Sequence, residues 1–482
     1  MKVVAFFLFA LLQGLGDAAY SDGKKFVFSF SVDVIRGVGP TAQPAVIVIP
    51  LYNDTVCTFN YTRISDHKLV SFQKQVYYDK TNEFMLADDP KEIYVTGRYD
   101  GYGYGITKTN DFRIFAECGE VVKLIGRAAD PRWGWGDLFI IPSIQNAAYT
   151  YTLSMPSAVQ TEKGHLMILP VEKDQLVNLN IIGYSNGLVL SNQNVQYSSA
   201  VGENQRYISV YIYDSKNNHF NATVSIISNV PIMISMITSA STKTGNRNDG
   251  TCGDTCFYDY TAFMPISLGP IDCDSLEDKP DIRMITNDLT TRLYLSPANL
   301  RGNDCDDNSV ITLYDDKTNI NGNEEVVSNI GLTRIEMAAI NQTGFRSESG
   351  QITNYRFGSF IDQDPSVGLF THYVPSTEEW VSGKTHFYSL DKNCYLELYV
   401  NKDASDIAHI KLDGLSISKS NPKKTVLKMF SQEYTQFILP ITGYGLHNLR
   451  ITKGKYVLYV ACKAVNSIHN GAGYLTGFEK RQ

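Results

Sequence analysis

The strongest constraint on this chain is a period of two in its apolar residues. Arg206 to Asp214 reads RYISVYIYD, which puts Ile208, Val210 and Ile212 on one face. Cys394 to Asp403 reads CYLELYVNKD, with Leu396, Leu398 and Val400 aligned. Lys455 to Lys463, KYVLYVACK, alternates in the same way. Such alternation belongs to strands with one face in a core. Long amphipathic helical patterns are missing; Gly331 to Ile340 is the best helical candidate, and it is short. Between the runs lie turn residues. HIKLDGLSI (409–417) places Asp413-Gly414 between two short strands, a strong hairpin signal. The 30 tyrosines and 23 phenylalanines suit half-buried pleated surfaces.

The expectation is therefore an all-β protein of tandem β-sandwich-like units, with a propeller-like arrangement as the alternative. Three stretches each open with paired strands: IVIPLYNDTV (47–56), LMILPVEKDQLVNLNI (166–181) and DIRMITNDLTTRLYL (281–295). Their spacing is roughly 110 to 120 residues, too long for ordinary propeller blades of about 40 to 50. The division expected is residues 19–160, 161–275, 276–390 and 391–482.

The first residues point to a compartment. Met1-Lys2 is followed by an apolar run from Val3 to Leu12 and then by small residues, with Gly16 and Ala18 suitably placed for cleavage. Residues 1–18 read as a secretory signal peptide. Its loss removes Lys2 and Asp17 and leaves the formal charge at −7. That balance argues against nucleic acid as a partner, which calls for a basic stripe. The best later apolar run, Val224 to Ala240, is broken by Asn229 and Pro231, and the tail GFEKRQ carries no lipid-anchor signal. A secreted, extracellular chain with no stable membrane anchor is expected.

Eight cysteines fit an oxidising compartment: Cys57, Cys118, Cys252, Cys256, Cys273, Cys305, Cys394 and Cys462. Eight cysteines allow 105 pairings, so connectivity stays open; neighbour pairing (57–118, 252–256, 273–305, 394–462) is the simplest expectation. Four sequons mark N-glycosylation candidates at Asn53, Asn60, Asn221 and Asn341.

Motifs for chemistry fail in their contexts. Gly183-Tyr184-Ser185-Asn186-Gly187 fits G-x-S-x-G, but a nucleophile elbow needs a helix after the serine, and LVLSNQNVQY follows instead. Asn186-Gly187 is a preferred hairpin turn. Gly101, Gly103 and Gly105 lack the third glycine and the helix of a phosphate loop. Asp362-Gln363-Asp364 reads as a solvated turn before Pro365. Asp304, Asp306 and Asp307 flank Cys305 and offer hard oxygen ligands for calcium, against the reading of a polar loop round a disulfide. The eight histidines show no H-x-x-x-H pair. Cys252-x-x-x-Cys256 has neither the spacing nor the helix of a redox centre, and only Cys273 is near enough to add a zinc ligand, so a staple fits best. No catalytic residue, cofactor or metal site is assigned.

Four segments, kept in order over roughly residues 165–482, resemble the N-terminal domain family of the IgGFc-binding protein, a secreted module shared with mucin-associated and nematode secreted proteins. They are the strand VSIISNVPIMISMI with Ser228, Pro231 and Ile232; the CGDTCFYDYTAFMPIS run; THYVPSTEEWVSGKTHFY with Pro375, Trp380 and Phe387; and the closing segment with His447, Tyr456, Tyr474 and Gly477. Val381 stands where the family has glycine after the tryptophan, and the glycine of its closing strand is replaced around Ala461-Cys462. The resemblance implies a non-catalytic extracellular binding module, in a setting of mucosal or innate defence, whose partner is an extracellular protein or glycan. A secreted hydrolase with a non-local site and a structural matrix or surface component are the alternatives.

Overall fold

A computed structural model describes residues 19–33, 42–97, 103–130, 135–155, 164–185, 187–211, 222–242, 258–267, 271–272, 280–296, 300–301, 309–314, 321–327, 333–337, 344–347, 351–360, 367–390, 393–465 and 470–480. Among them the fold is all-β; helical structure is confined to 3-10 turns of three or four residues. The period of two is realised in burial along some strands only; Leu396 to Val400 and Tyr456 to Cys462 are buried on both faces because neighbouring sheets cover them. Along Leu176–Ser185 the side chains of Val177, Leu179 and Ile181 are buried, while those between them reach the surface. Within Gly331 to Ile340 the described residues are not helical: Thr333–Glu336 is a strand paired with Arg292–Leu295, and Ile335 is buried. There sheet pairing overrides weak local propensity. Asp413 and Gly414 both take positive φ, 48° and 78°, and join Leu412 to Leu415 in a two-residue hairpin.

The strands fall into four consecutive units of related topology; in the third, hydrogen bonding forms two four-stranded sheets, and Gly103–Thr109 from the first stretch pairs into the sheet of the second. Each unit is organised on a long strand: Ile114–Asp130, Ala222–Thr242, the consecutive pair Gly344–Ser347 and Thr353–Phe360, and Gly445–Lys463. Along one edge of the long strand run two strands end to end. In unit 1 these are Ala45–Pro50 and Thr55–Thr62, and in unit 2 Gly164–Pro170 and Leu176–Ser185. In unit 3 they are Thr290–Ser296 and Ser309–Tyr314, and in unit 4 Cys394–Asn401 and Ile410–Leu412. Along its other edge the unit's first strand pairs with its beginning (Gly23–Phe28, Ala148–Ser154, Asp281–Met284, Val381–Ser389). The unit's last strand pairs with its end (Trp135–Ile141, Tyr258–Phe263, Val367–His372, Gly471–Leu475). All these pairings are antiparallel.

The four last strands are the inner strands of the molecule. Those of units 1 and 2, 2 and 3, 3 and 4, and 4 and 1 pack on one another, which closes a ring. Sheets stack against one another around it, in an all-β fold of several units. Neighbouring units share cores. Val46 and Val48 enter the core between units 1 and 2; Ile47 and Ile49, on the opposite face of the same strand, enter the core of unit 4. This double burial explains why AVIVIP is a continuous apolar run.

Two disulfides, Cys57–Cys118 and Cys394–Cys462, join directly opposed residues of adjacent strands in units 1 and 4. Cys252, Cys256, Cys273 and Cys305 lie outside the described residues.

At the axis, inner strands 3 and 4 approach back to back. A Cβ on Gly368 would lie 2.7 Å from the Gly471 Cα, and Gly368 has φ +75°. Only glycine meets both conditions. Gly368→Ala is expected to destabilise the protein by roughly 2–4 kcal/mol, from overpacking plus the strained backbone. Urea denaturation checks it: the midpoint falls while the slope stays unchanged.

Candidate binding surface

The hairpin of Leu176–Ser185 and Leu188–Ser198 presents a row of amides. Asn178 faces Gln196, Asn180 faces Asn194, and Ile182 faces Asn192 across the pair. Because Val177, Leu179 and Ile181 point into the core, the alternate residues must point out. The Asn180 amide donates to the Oδ1 atoms of Asn192 (3.1 Å) and Asn194 (3.0 Å), and Gln196 donates to Asn178 Oδ1 (2.7 Å). Asn229, on the neighbouring long strand, ends the row: its Oδ1 accepts from the Asn178 N–H and its amide donates to the Leu176 carbonyl. Beside it Ile227 is half exposed, and an open groove of about 630 Å³ runs between Ile227, Asn180 and Asn194. At the tip Leu188, Val189 and Leu190 are exposed.

No charged residue and no proline occurs from Leu176 to Val201. Leu188–Ser198 is nevertheless the edge of an eight-stranded sheet. Edge strands in the other units carry charge: Lys74 in Leu69–Val76, Glu324 and Glu325 in Asn323–Val327, and three lysines in Lys423–Met429. Charge on an edge blocks pairing with foreign strands. The unit 2 edge lacks that protection, and its neutral amides both donate and accept. This suits hydroxyl-rich or peptide ligands and offers nothing for proton transfer. The sequence signal was present as a 26-residue stretch free of charge and rich in asparagine and glutamine.

Among the described residues, two of the motifs singled out from sequence meet: the Tyr104 hydroxyl, between Gly103 and Gly105, donates to the Tyr184 carbonyl beside Ser185. Ser185 closes the hairpin opposite Leu188, and Gly187 takes φ +78°, so a strand rather than a helix follows it. Gly103 and Gly105 belong to the strand Gly103–Thr109, where the buried Tyr104 donates its hydroxyl to the Thr223 carbonyl (3.1 Å). Asn53 is exposed on a turn and Asn60 is half-buried on a strand. Gly101, Asn186, Asn221, Asn341, Asp304, Asp306, Asp307, Asp362 and Asp364 lie outside the described residues. Among the described residues no group of three His, Cys, Asp or Glu side chains is placed to hold a metal ion. His165 meets Ser209, His372 lies under Arg356, and His447 meets Asp413.

Sequence reasoning missed two buried carboxylates on the ring axis. Asp137 of inner strand 1 accepts the N–H groups of Leu138, Ala262 of unit 2 and Gly473 of unit 4. Asp259 of inner strand 2 accepts those of Tyr260, Leu369 of unit 3 and Gly471 of unit 4, and the Asn470 amide. Burial pushes Asp259 up to about 7 against these hydrogen bonds. Burial raises Asp137 too, and the charge of Asp259 adds to it. A single acid inside apolar strands, WGDLFII and YDYTAF, was the available signal.

No protein-family model matches the chain, and no curated protein matches it. The segments that carry the resemblance hold structural positions. Trp380, Phe387, Tyr456 and Tyr474 are core residues, and Pro231 and Ile232 sit inside the long strand of unit 2. No helix among the described residues is long and apolar enough to cross a membrane.

Asp259 makes stability depend on pH with a defined sign. Between about pH 4 and 7 the folded chain keeps a proton that the unfolded carboxylate has released. Stability therefore falls as pH rises through that window, by up to about 1.4 kcal/mol per unit. Denaturation at a series of pH values should show this slope, and Asp259→Asn should flatten it.

Proposed function

We propose that this chain is a secreted, non-catalytic binding protein of the extracellular space that engages an extracellular protein or glycan through the amide face of unit 2. The single observation carrying the reading is the uncharged row from Asn178 to Gln196, next to exposed apolar side chains. Contiguous apolar surface rimmed by polar groups marks interaction sites. The signal-like residues 1–18, the two disulfides and the sequons support the compartment. The resemblance to the IgGFc-binding protein N-terminal domain family supports the class and a role in mucosal or innate defence. The free edge also favours a second reading, a self-associating matrix or surface component, since edges pair with copies of themselves.

The test is binding of the purified chain to panels of mucins, glycans, immunoglobulins and microbial surfaces. Asn194→Lys places a charge in the middle of the row. It is expected to weaken binding at least tenfold and to leave the melting temperature unchanged, because Asn194 is exposed. Binding to no panel member, or equal binding by the variant, overturns the reading. Sedimentation that shows assembly of the wild type alone supports the matrix component instead.

A further inference from the structure

The ring closes without a covalent link at one place. In the other junctions the chain runs from an inner strand directly into the first strand of the next unit: 141 to 148, 263 to 281 and 372 to 381. Between units 4 and 1, residues 476–479 meet residues 19–22. The Ser21 N–H donates to the Phe478 carbonyl (3.2 Å), and the Phe478 N–H donates to Ser21 Oγ (3.4 Å).

Ala19 sits inside this seam at 8% exposure, and its backbone nitrogen donates to Asp22 Oδ2 at 3.1 Å. The Asp22 carboxylate is buried and lies 3.2 Å from the equally buried Lys123 ammonium. Lys123 also donates to the Thr476 carbonyl. A second carboxylate, the half-buried Glu479, feels the charges of both Asp22 and Lys123. Asp22 is the acid paired with the buried lysine, and half-buried Glu479 adds negative charge at the rim beside exposed Lys455. An open groove of about 580 Å³, lined by Tyr20, Lys24, Glu479 and Lys480, ends at Ala19.

We infer that hydrolysis of the Ala18–Ala19 bond creates an α-ammonium group that docks on Asp22 and completes the seam, so that the mature N terminus is itself a structural part of the ring. The inference rests on the secreted reading. A signal-type peptidase supplies the catalysis and water the atoms: its hydroxyl joins the Ala18 carbonyl carbon, and its proton goes to the Ala19 nitrogen, which takes up a second from solvent at neutral pH. One amide donor becomes three charged ones. The Asp22 carboxylate then meets charged donors on both oxygens, Lys123 at Oδ1 and the new ammonium at Oδ2. An uncleaved or extended chain keeps the neutral amide at Oδ2.

The experiment uses the full chain secreted with its own leader from eukaryotic cells. N-terminal sequencing is expected to begin at Ala19. Reductive methylation with formaldehyde and cyanoborohydride at pH 7 is expected to modify the Ala19 amine at least tenfold more slowly in the folded than in the urea-unfolded protein. Asp22→Asn should remove that protection and lower the melting temperature. Insertion of Gly-Ser between Ala18 and Ala19 moves the ammonium away and should lower the melting temperature by several degrees; it decides the matter with the wild-type labelling if Asp22→Asn does not fold. A secreted chain that begins elsewhere overturns the inference and leaves secretion standing. A chain that begins at Ala19 but whose amine reacts equally fast when folded does the same. A chain kept in the cells with its leader overturns both readings.

Discussion

The ring depends on how its inner strands satisfy their free edges. Each last strand pairs with its long strand on one side and turns its other side to the axis. A buried strand edge leaves backbone N–H groups without partners, which costs free energy comparable to lost hydrogen bonds. Asp137 and Asp259 accept six such groups between them, drawn from all four inner strands. Glycine at 368 and 471 then lets strands 3 and 4 meet with no side chain between them. The carboxylates stand where a continuous ladder would stand in a closed barrel.

Packing follows from that closure. Where a sheet has a neighbour on each side, strands such as Ala45–Pro50 are buried on both faces, and polar residues on shared faces go inside with them. They are buried in pairs. Arg283 meets Asp281 at 3.0 Å and Arg113 meets Asp111 at 2.8 Å, while Arg356 is held between Glu397 and His372. Such pairs contribute little net stability, since desolvation offsets attraction, but losing one partner strands a buried charge. Of the three, Arg356–Glu397 links units 3 and 4, while Arg113–Asp111 and Arg283–Asp281 each lie within one segment of the chain.

Among the described residues the acids of the axis, Asp137 and Asp259, are held by backbone N–H groups and, for Asp259, by the Asn470 amide. The outer edges differ in charge within units of related topology, and the one without charge adjoins the amide row and the exposed leucines of the unit 2 hairpin. The seam at Ala19 and Phe478 joins units 4 and 1 through hydrogen bonds and the buried Asp22–Lys123 pair rather than through the chain.

Much of this was legible in order of sequence distance. Period two defined the strands, Asp413-Gly414 and Asn186-Gly187 marked hairpins, and the failure of the elbow motif at Ser185 followed from the residues after it. The best helical candidate, Gly331 to Ile340, holds a strand at Thr333–Glu336, because its pairing with Arg292–Leu295 lies outside any local window. Composition showed the uncharged stretch but not that it forms an edge.

By itself the sequence determined what local sterics and side-chain alternation control: strands, turns and an all-β chain with repeated openings. Tertiary structure alone decided which strand enters which sheet, that four units close on themselves, and that Asp137, Asp259 and Asp22 are buried. Those outcomes depend on contacts between residues more than a hundred positions apart, whose energies no neighbouring residue encodes.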